Sequence, residues 1–120
     1  MDKALSVMQP WAWLIVNGHK GLENRTWLTK YRGPLLIHTG LKIDYAGYKW
    51  VQENFPGIPL PARSELQRGG IVGSVTLVSV VENHHRHLLL EEDKRWHMPP
   101  ANAWVVVDAR VLPFRPCRGA

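Results

Sequence analysis

A chain of 120 residues with 45% apolar and 21% charged content is sized for one domain with its own core, which excludes both a stapled miniprotein and a disordered tail. Its 15 Lys plus Arg against 10 Asp plus Glu give a formal charge of +5 spread along the chain, so the fold must assemble any surface for an anionic partner such as nucleic acid. No apolar run approaches the roughly 20 residues of a membrane helix. The N-terminus also lacks the pattern of a secretory signal, and Cys117 has no internal partner, so a cytoplasmic protein with no membrane contact is expected.

In chain order, the apolar run Ala4 to Met8 predicts a first strand. Pro10 suits the first position of a helix. Trp11, Leu14, Ile15 and Gly18 then recur at three- and four-residue spacing, as a helix with one buried face requires. Gly18 supplies the left-handed terminator.

The stretch that follows, Gly18-His19-Lys20-Gly21-Leu22-Glu23-Asn24-Arg25-Thr26-Trp27, sets three ionisable groups between two glycines and a tryptophan. An extended Glu23 to Trp27 places Glu23, Arg25 and Trp27 on one face, with Lys20 in the turn leading in. The residues alone leave two readings open: a surface turn carrying an ion pair, or a site.

Lys30 to Pro34 reads as a turn and Leu35 to His38 as a third strand, with His38 either hydrogen-bonded in the core or opening onto a pocket. Asp44 to Asn54 has helical character. Phe55 to Pro61 carries three prolines and reads as a covering loop. Gly69-Gly70 opens the longest strand signal, through Val81. Along it Val75 and Leu77 share one side; Ser74, Thr76, Val78 and Val80 share the other. Gly73 marks a bend or a close backbone approach. His84, His85 and His87, with His97 and Cys117, do not match a zinc spacing, so a solvated loop is expected rather than a metal site. Leu88 to Trp96 predicts a short helix, Ala103 to Val107 a strand, and Arg110 to Phe114 a last one.

Gly18, Lys20, Glu23 and Arg25 form a G-x-K-x-x-E-x-R pattern that resembles the signature of the ASCH domain family, within the PUA-like superfamily. Leu5 to Ala12, with its Gln9-Pro10-Trp11 core, Arg32 to His38 and the Gly70–Val81 strand are similar to the same family. The resemblance covers most of the chain. It implies an α+β fold: a PUA-like small curved β-barrel with short flanking helices, occupying residues 1–120 as one domain. Relatives of this kind often continue past a basic residue–glycine step, here Arg118-Gly119, into one more strand.

The resemblance also implies function classes. Some family members look like small amidohydrolases that deacylate N4-acetylcytidine, with the signature lysine activating a threonine and a glutamate assisting. Lys20 carries over; the threonine position is Glu23 here, with Thr26 and Thr39 nearby, and Glu82, Glu91 or Glu92 in reach of the assisting role. Others resemble RNA-binding modules, ribonucleases, or accessory domains of transcription coactivators.

The expectation is therefore a nucleobase in a basic cleft. Lys20 and Glu23 are the catalytic pair of a hydrolase, with Gln9, Trp11, Arg25, Thr26, Trp27 and His38 binding RNA or a modified nucleoside. Trp13 is a further stacking candidate. No cofactor or metal is expected, and a monomer is favoured. A non-catalytic RNA reader is the competing reading, and a structural ion network the third.

Overall fold

The computed structural model describes residues 3–118. One mixed sheet is built from β1 (Ala4–Ser6), β2 (Leu22–Arg25), β3 (Gly33–Thr39), β4 (Gly70–Val81) and β5 (Asn102–Pro116), in spatial order β1-β3-β4-β5-β2. β1 runs parallel to β3, and the other ladders are antiparallel. Helices α1 (Trp11–Val16), α2 (Tyr45–Asn54) and α3 (Glu91–Lys94) occupy the connections. Among the described residues no helix is long and apolar enough to cross a membrane.

The curl of the sheet comes from β4. It shifts register against β5 at Ile71/Gly73, Ser74/Thr76 and Leu77/Ser79. Each bulge adds local right-handed twist, and together they bend five strands into an α+β half-barrel. Val75 and Leu77 are buried and Val78 is exposed, as alternation requires. The last shift breaks that alternation, so Val80, expected on the outer side with Val78, packs against the core instead. Gly73 is the close approach anticipated for it. A Cβ there would overlap the Arg110 carbonyl oxygen and come within 2.6 Å of Val16 Cγ1, so α1 rests directly on the strand.

Two further expectations need correction. Ala103 to Val107 and Arg110 to Phe114 are one continuous strand, because Asp108 takes a positive φ of 53° and absorbs the irregularity within β5 rather than reversing the chain. The helix expected over Leu88 to Trp96 shrinks to Glu91–Lys94, and a 3₁₀ segment at Asn83–Leu88 carries the histidine run. His84 is exposed there. His97 is buried, accepting from Arg86 Nε at 3.0 Å and donating to the Ala101 carbonyl at 2.6 Å. Cys117 is exposed. Gly119, which completes the basic residue–glycine step, lies outside the described residues.

Two apolar clusters fill the molecule. One lies inside the curl, between α1 and the sheet (Ile15, Val16, Ile37, Val75, Leu77). The other lies under α2 (Leu14, Leu22, Val51, Trp96). Trp11 packs against both. The Phe55 to Pro61 loop covers the second cluster, with Phe55 stacked on Trp96 at 4.1 Å and the Tyr48 hydroxyl donating to Pro61 O at 2.6 Å.

Because Gly73 meets backbone on one side and a helix on the other, Gly73→Ala is expected to cost about 2–3 kcal/mol in urea unfolding. A change under about 0.5 kcal/mol would show that α1 does not bear on β4 this closely.

Candidate functional site

The site begins where α1 ends. Gly18 adopts φ 79° and donates to Ile15 O at 3.0 Å. The next two amides, of His19 and Lys20, both reach back to Leu14 O at 2.9 and 3.1 Å. This hook turns the chain sharply and drives the Lys20 side chain inward, where it is only 2% exposed. Its ammonium donates to Leu22 O at 2.8 Å and to Glu23 Oε1 at 3.2 Å, and lies 5.3 Å from the Trp11 ring centroid. Burial pushes the Lys20 pKa below its ordinary 10.5. The charge and hydrogen bond of Glu23 work against that shift, and Arg25 adds to it.

Strand alternation along β2 sets Glu23 and Arg25 on one face, with Arg25 Nη2 at 3.4 Å from Glu23 Oε2. The same guanidinium stands over the Trp27 ring at 5.2 Å; β2 ends at Arg25 and the chain bends at Thr26 and Trp27, so this contact is made from beyond the strand and not by the alternation expected through Trp27. Arg25 Nη2 also donates to the carbonyl of Ser6 in β1. β1 and β2 are the two edges of the curled sheet, so one arginine bridges the opening of the half-barrel.

Lys20 and Glu23 open onto a cleft of about 470 Å³ walled by Trp11, Asp44, Trp50 and Met98. Asp44 is its second carboxylate. It caps α2 by accepting from Gly47 N at 2.8 Å, and accepts from Trp11 Nε1 at 3.0 Å. Asn24, also in the wall, holds the opposite rim by donating to Trp96 O and accepting from Met98 N. Gly47 is required where it stands, since a Cβ would come within 2.5 Å of the Trp11 ring. A larger open groove of about 730 Å³, with Ile43, Tyr45, Arg63 and Arg68 in its walls, contains no amine–carboxylate pair. The amine–carboxylate pair belongs to the smaller cleft.

Of the residues expected at a site, Lys20, Glu23 and Trp11 therefore meet in the cleft, with Arg25 behind Glu23. The others do not line it. Gln9 is buried and spends its amide on Trp13 N and Gln67 O. His38 is the core histidine of the two alternatives: its ring nitrogens meet Ser6 Oγ at 3.1 Å and Cys117 O at 2.9 Å. Thr26 and Trp27 are exposed beyond the end of β2. Thr39 is buried; neither threonine lines the cleft or is hydrogen-bonded to Lys20. Trp13 stacks on His19 instead. Glu82, Glu91 and Glu92 are absent from the cleft wall, and Glu91 pairs with Lys94 at 2.7 Å. Asp44, Asn24, Trp50 and Met98 were not singled out from sequence. Only Asp44 carries a local signal, as a helix N-cap.

The ASCH domain family model matches residues 5–114. The fold is similar to crystal structures of the ASCH protein from Zymomonas mobilis and of two of its single-substitution mutants. Identity is 16%; 94% of this chain aligns with 71%, 73% and 72% of those chains, with TM-scores of 0.50, 0.54 and 0.54. No curated protein matches the chain.

The Lys20–Glu23 pair is nearly buried, so its two members should be energetically coupled. Lys20→Met is expected to cost about 3 kcal/mol in the native sequence and at least about 1 kcal/mol less in a Glu23→Gln background. Additive costs in denaturant titrations would mean that the two side chains do not interact.

Proposed function

The chain belongs to the ASCH domain family, and on that footing we propose that it acts as a single domain whose cleft receives a nucleobase, with Lys20 and Glu23 hydrolysing the acyl group of an N4-acylated cytidine. The observation that carries this reading is a desolvated lysine, paired with a carboxylate, facing a cleft walled by two tryptophans. Trp11 and Trp50, with ring centroids 6.3 Å apart, offer apolar surface for a base. Asp44 and Asn24 supply polar atoms beside it.

In this mechanism Glu23 takes a proton from water, and the resulting hydroxide adds to the acyl carbon. The Lys20 ammonium donates to the oxygen that becomes negative. The C–N bond then breaks, the departing N4 nitrogen takes the proton from Glu23, and a carboxylic acid leaves. Direct attack by water fits the placement of the threonines: Thr26 and Thr39 do not line the cleft, and Glu23 stands where the amidohydrolases that this chain resembles carry their threonine. Arg25 positions Glu23 from behind rather than touching substrate.

A second reading, a non-catalytic RNA reader, is favoured by one observation. Both Glu23 oxygens are already engaged, Oε1 by Lys20 and Oε2 by Arg25. To take a proton from water, either oxygen has to share or leave the cation it already faces. This reading predicts binding through the same cleft with no product.

Incubation with N4-acetylcytidine, followed by chromatography, separates the two. The hydrolase reading expects release of cytidine, reduced at least about 100-fold by Lys20→Ala and by Glu23→Gln. No release by the unmodified protein would overturn it and leave the reader. Cleavage of an RNA strand instead would indicate a ribonuclease.

A further inference from the structure

We propose that the open groove beside the cleft holds the sugar–phosphate backbone of a single-stranded nucleic acid whose base occupies the cleft, with Arg63 and Arg68 as its phosphate contacts. The inference rests on the reading of the cleft as a base site and specifies the ligand further: a nucleotide within a strand, not a free nucleoside.

Both depressions share one wall, the entry to α2 over residues 43–47. Ile43 and Tyr45 line the groove; Asp44, Ala46 and Gly47 line the cleft. A ligand seated against the Trp11 and Trp50 wall of the cleft therefore reaches the groove by crossing the start of α2. On the groove side it meets Arg63, Ser64 and Arg68, a lining with two cations and a hydroxyl but no carboxylate.

The arginines are available for an anion. Among the described residues neither has a carboxylate oxygen within 4.0 Å. The described hydrogen bond of Arg68 is a long one, from Nη1 to Leu41 O at 3.5 Å. The Arg63 guanidinium lies 5.2 Å from the centroid of Tyr45, which is 57% exposed. An arginine on an exposed ring presents its donors outward, and the ring offers a face on which a neighbouring base can stack. The one acidic residue of that turn, Glu65, is exposed and does not line the groove.

The wall is also fixed before any ligand arrives. The segment carrying both arginines is tied at Pro61 by the Tyr48 hydroxyl and at Gln67 by Gln9 Nε2 at 2.9 Å, and Leu66 between them is buried. Gln9 thus has a place in the recognition surface without touching a ligand. Its other amide atom accepts from Trp13 N, so it couples the start of α1 to the arginine segment.

The test measures binding of fluorescein-labelled single-stranded RNA by anisotropy across salt concentrations, alongside binding of N4-acetylcytidine by tryptophan fluorescence. The Arg63→Ala/Arg68→Ala double variant should bind RNA at least tenfold more weakly. Its slope of log affinity against log salt should flatten by about 1.4, roughly 0.7 per lost phosphate contact. Its affinity for the nucleoside should equal that of the unmodified protein. Unchanged RNA affinity and slope in the double variant would overturn the groove assignment while leaving the cleft reading intact. RNA affinity that drops in the double variant but is unaffected by Trp11→Ala would support the phosphate contacts and refute the cleft as the base site. An unmodified protein that binds neither probe would overturn both.

Discussion

The arrangement depends on one unfavourable placement, an ammonium group taken almost wholly out of water. Lys20 is held there by the Leu22 carbonyl, the Glu23 carboxylate and the face of Trp11. Desolvating a charge is costly unless partners replace its water, so the surrounding chain has to deliver all three. The Gly18 turn and the two amides hooked onto Leu14 O set the position of the lysine. β2 supplies the carbonyl and the carboxylate, and α1 supplies the ring. A four-residue signature is thus a compact set of instructions for one buried cation.

The same network closes the fold. Arg25 continues outward from Glu23 and reaches the Ser6 carbonyl across the gap between the edge strands. The half-barrel is laced at its open side by the arginine that backs the carboxylate of the cleft. Trp11 likewise belongs to both apolar clusters and to the cleft wall, and its indole N–H orients Asp44. The closure of the fold and the walls of the cleft are therefore drawn from the same set of contacts. This is why coupling energies, rather than single losses, are the informative quantity here.

Much of this was legible in the chain. Strand alternation places Glu23 and Arg25 on one face, though not Trp27, which follows a bend after β2, and the spacing of Trp11, Leu14, Ile15 and Gly18 predicts α1 and its stop. The β-branched run gave β4 with its observed bounds, and Gly73 marked the close approach. What escaped were effects with no local signature. Asp108 reads as a break, yet one residue at positive φ lets β5 continue. A bulge in β4 moved Val80 across the sheet, because a shift of one residue exchanges faces. Met98 and Trp50 reach the cleft only through tertiary packing. Gln9 and His38 stand among the expected binding residues, and in the fold both are buried and satisfied on backbone carbonyls, a backbone amide and a neighbouring hydroxyl group, partners that, Trp13 aside, lie far away in sequence.

The most direct test of the central claim is an NMR titration of the lysine side chains in isotopically labelled protein. Desolvation weakens proton binding by Lys20 in the native state relative to the unfolded chain, so this group's contribution to stability rises with pH between its native pKa and 10.5. The account predicts one lysine resonance, absent in Lys20→Met, that titrates below 10.5. It should move lower still in Glu23→Gln, because the carboxylate that favours the charged form is gone. If the Lys20 resonance titrates at 10.5 or above, the ammonium is not desolvated and the clamp described here is wrong.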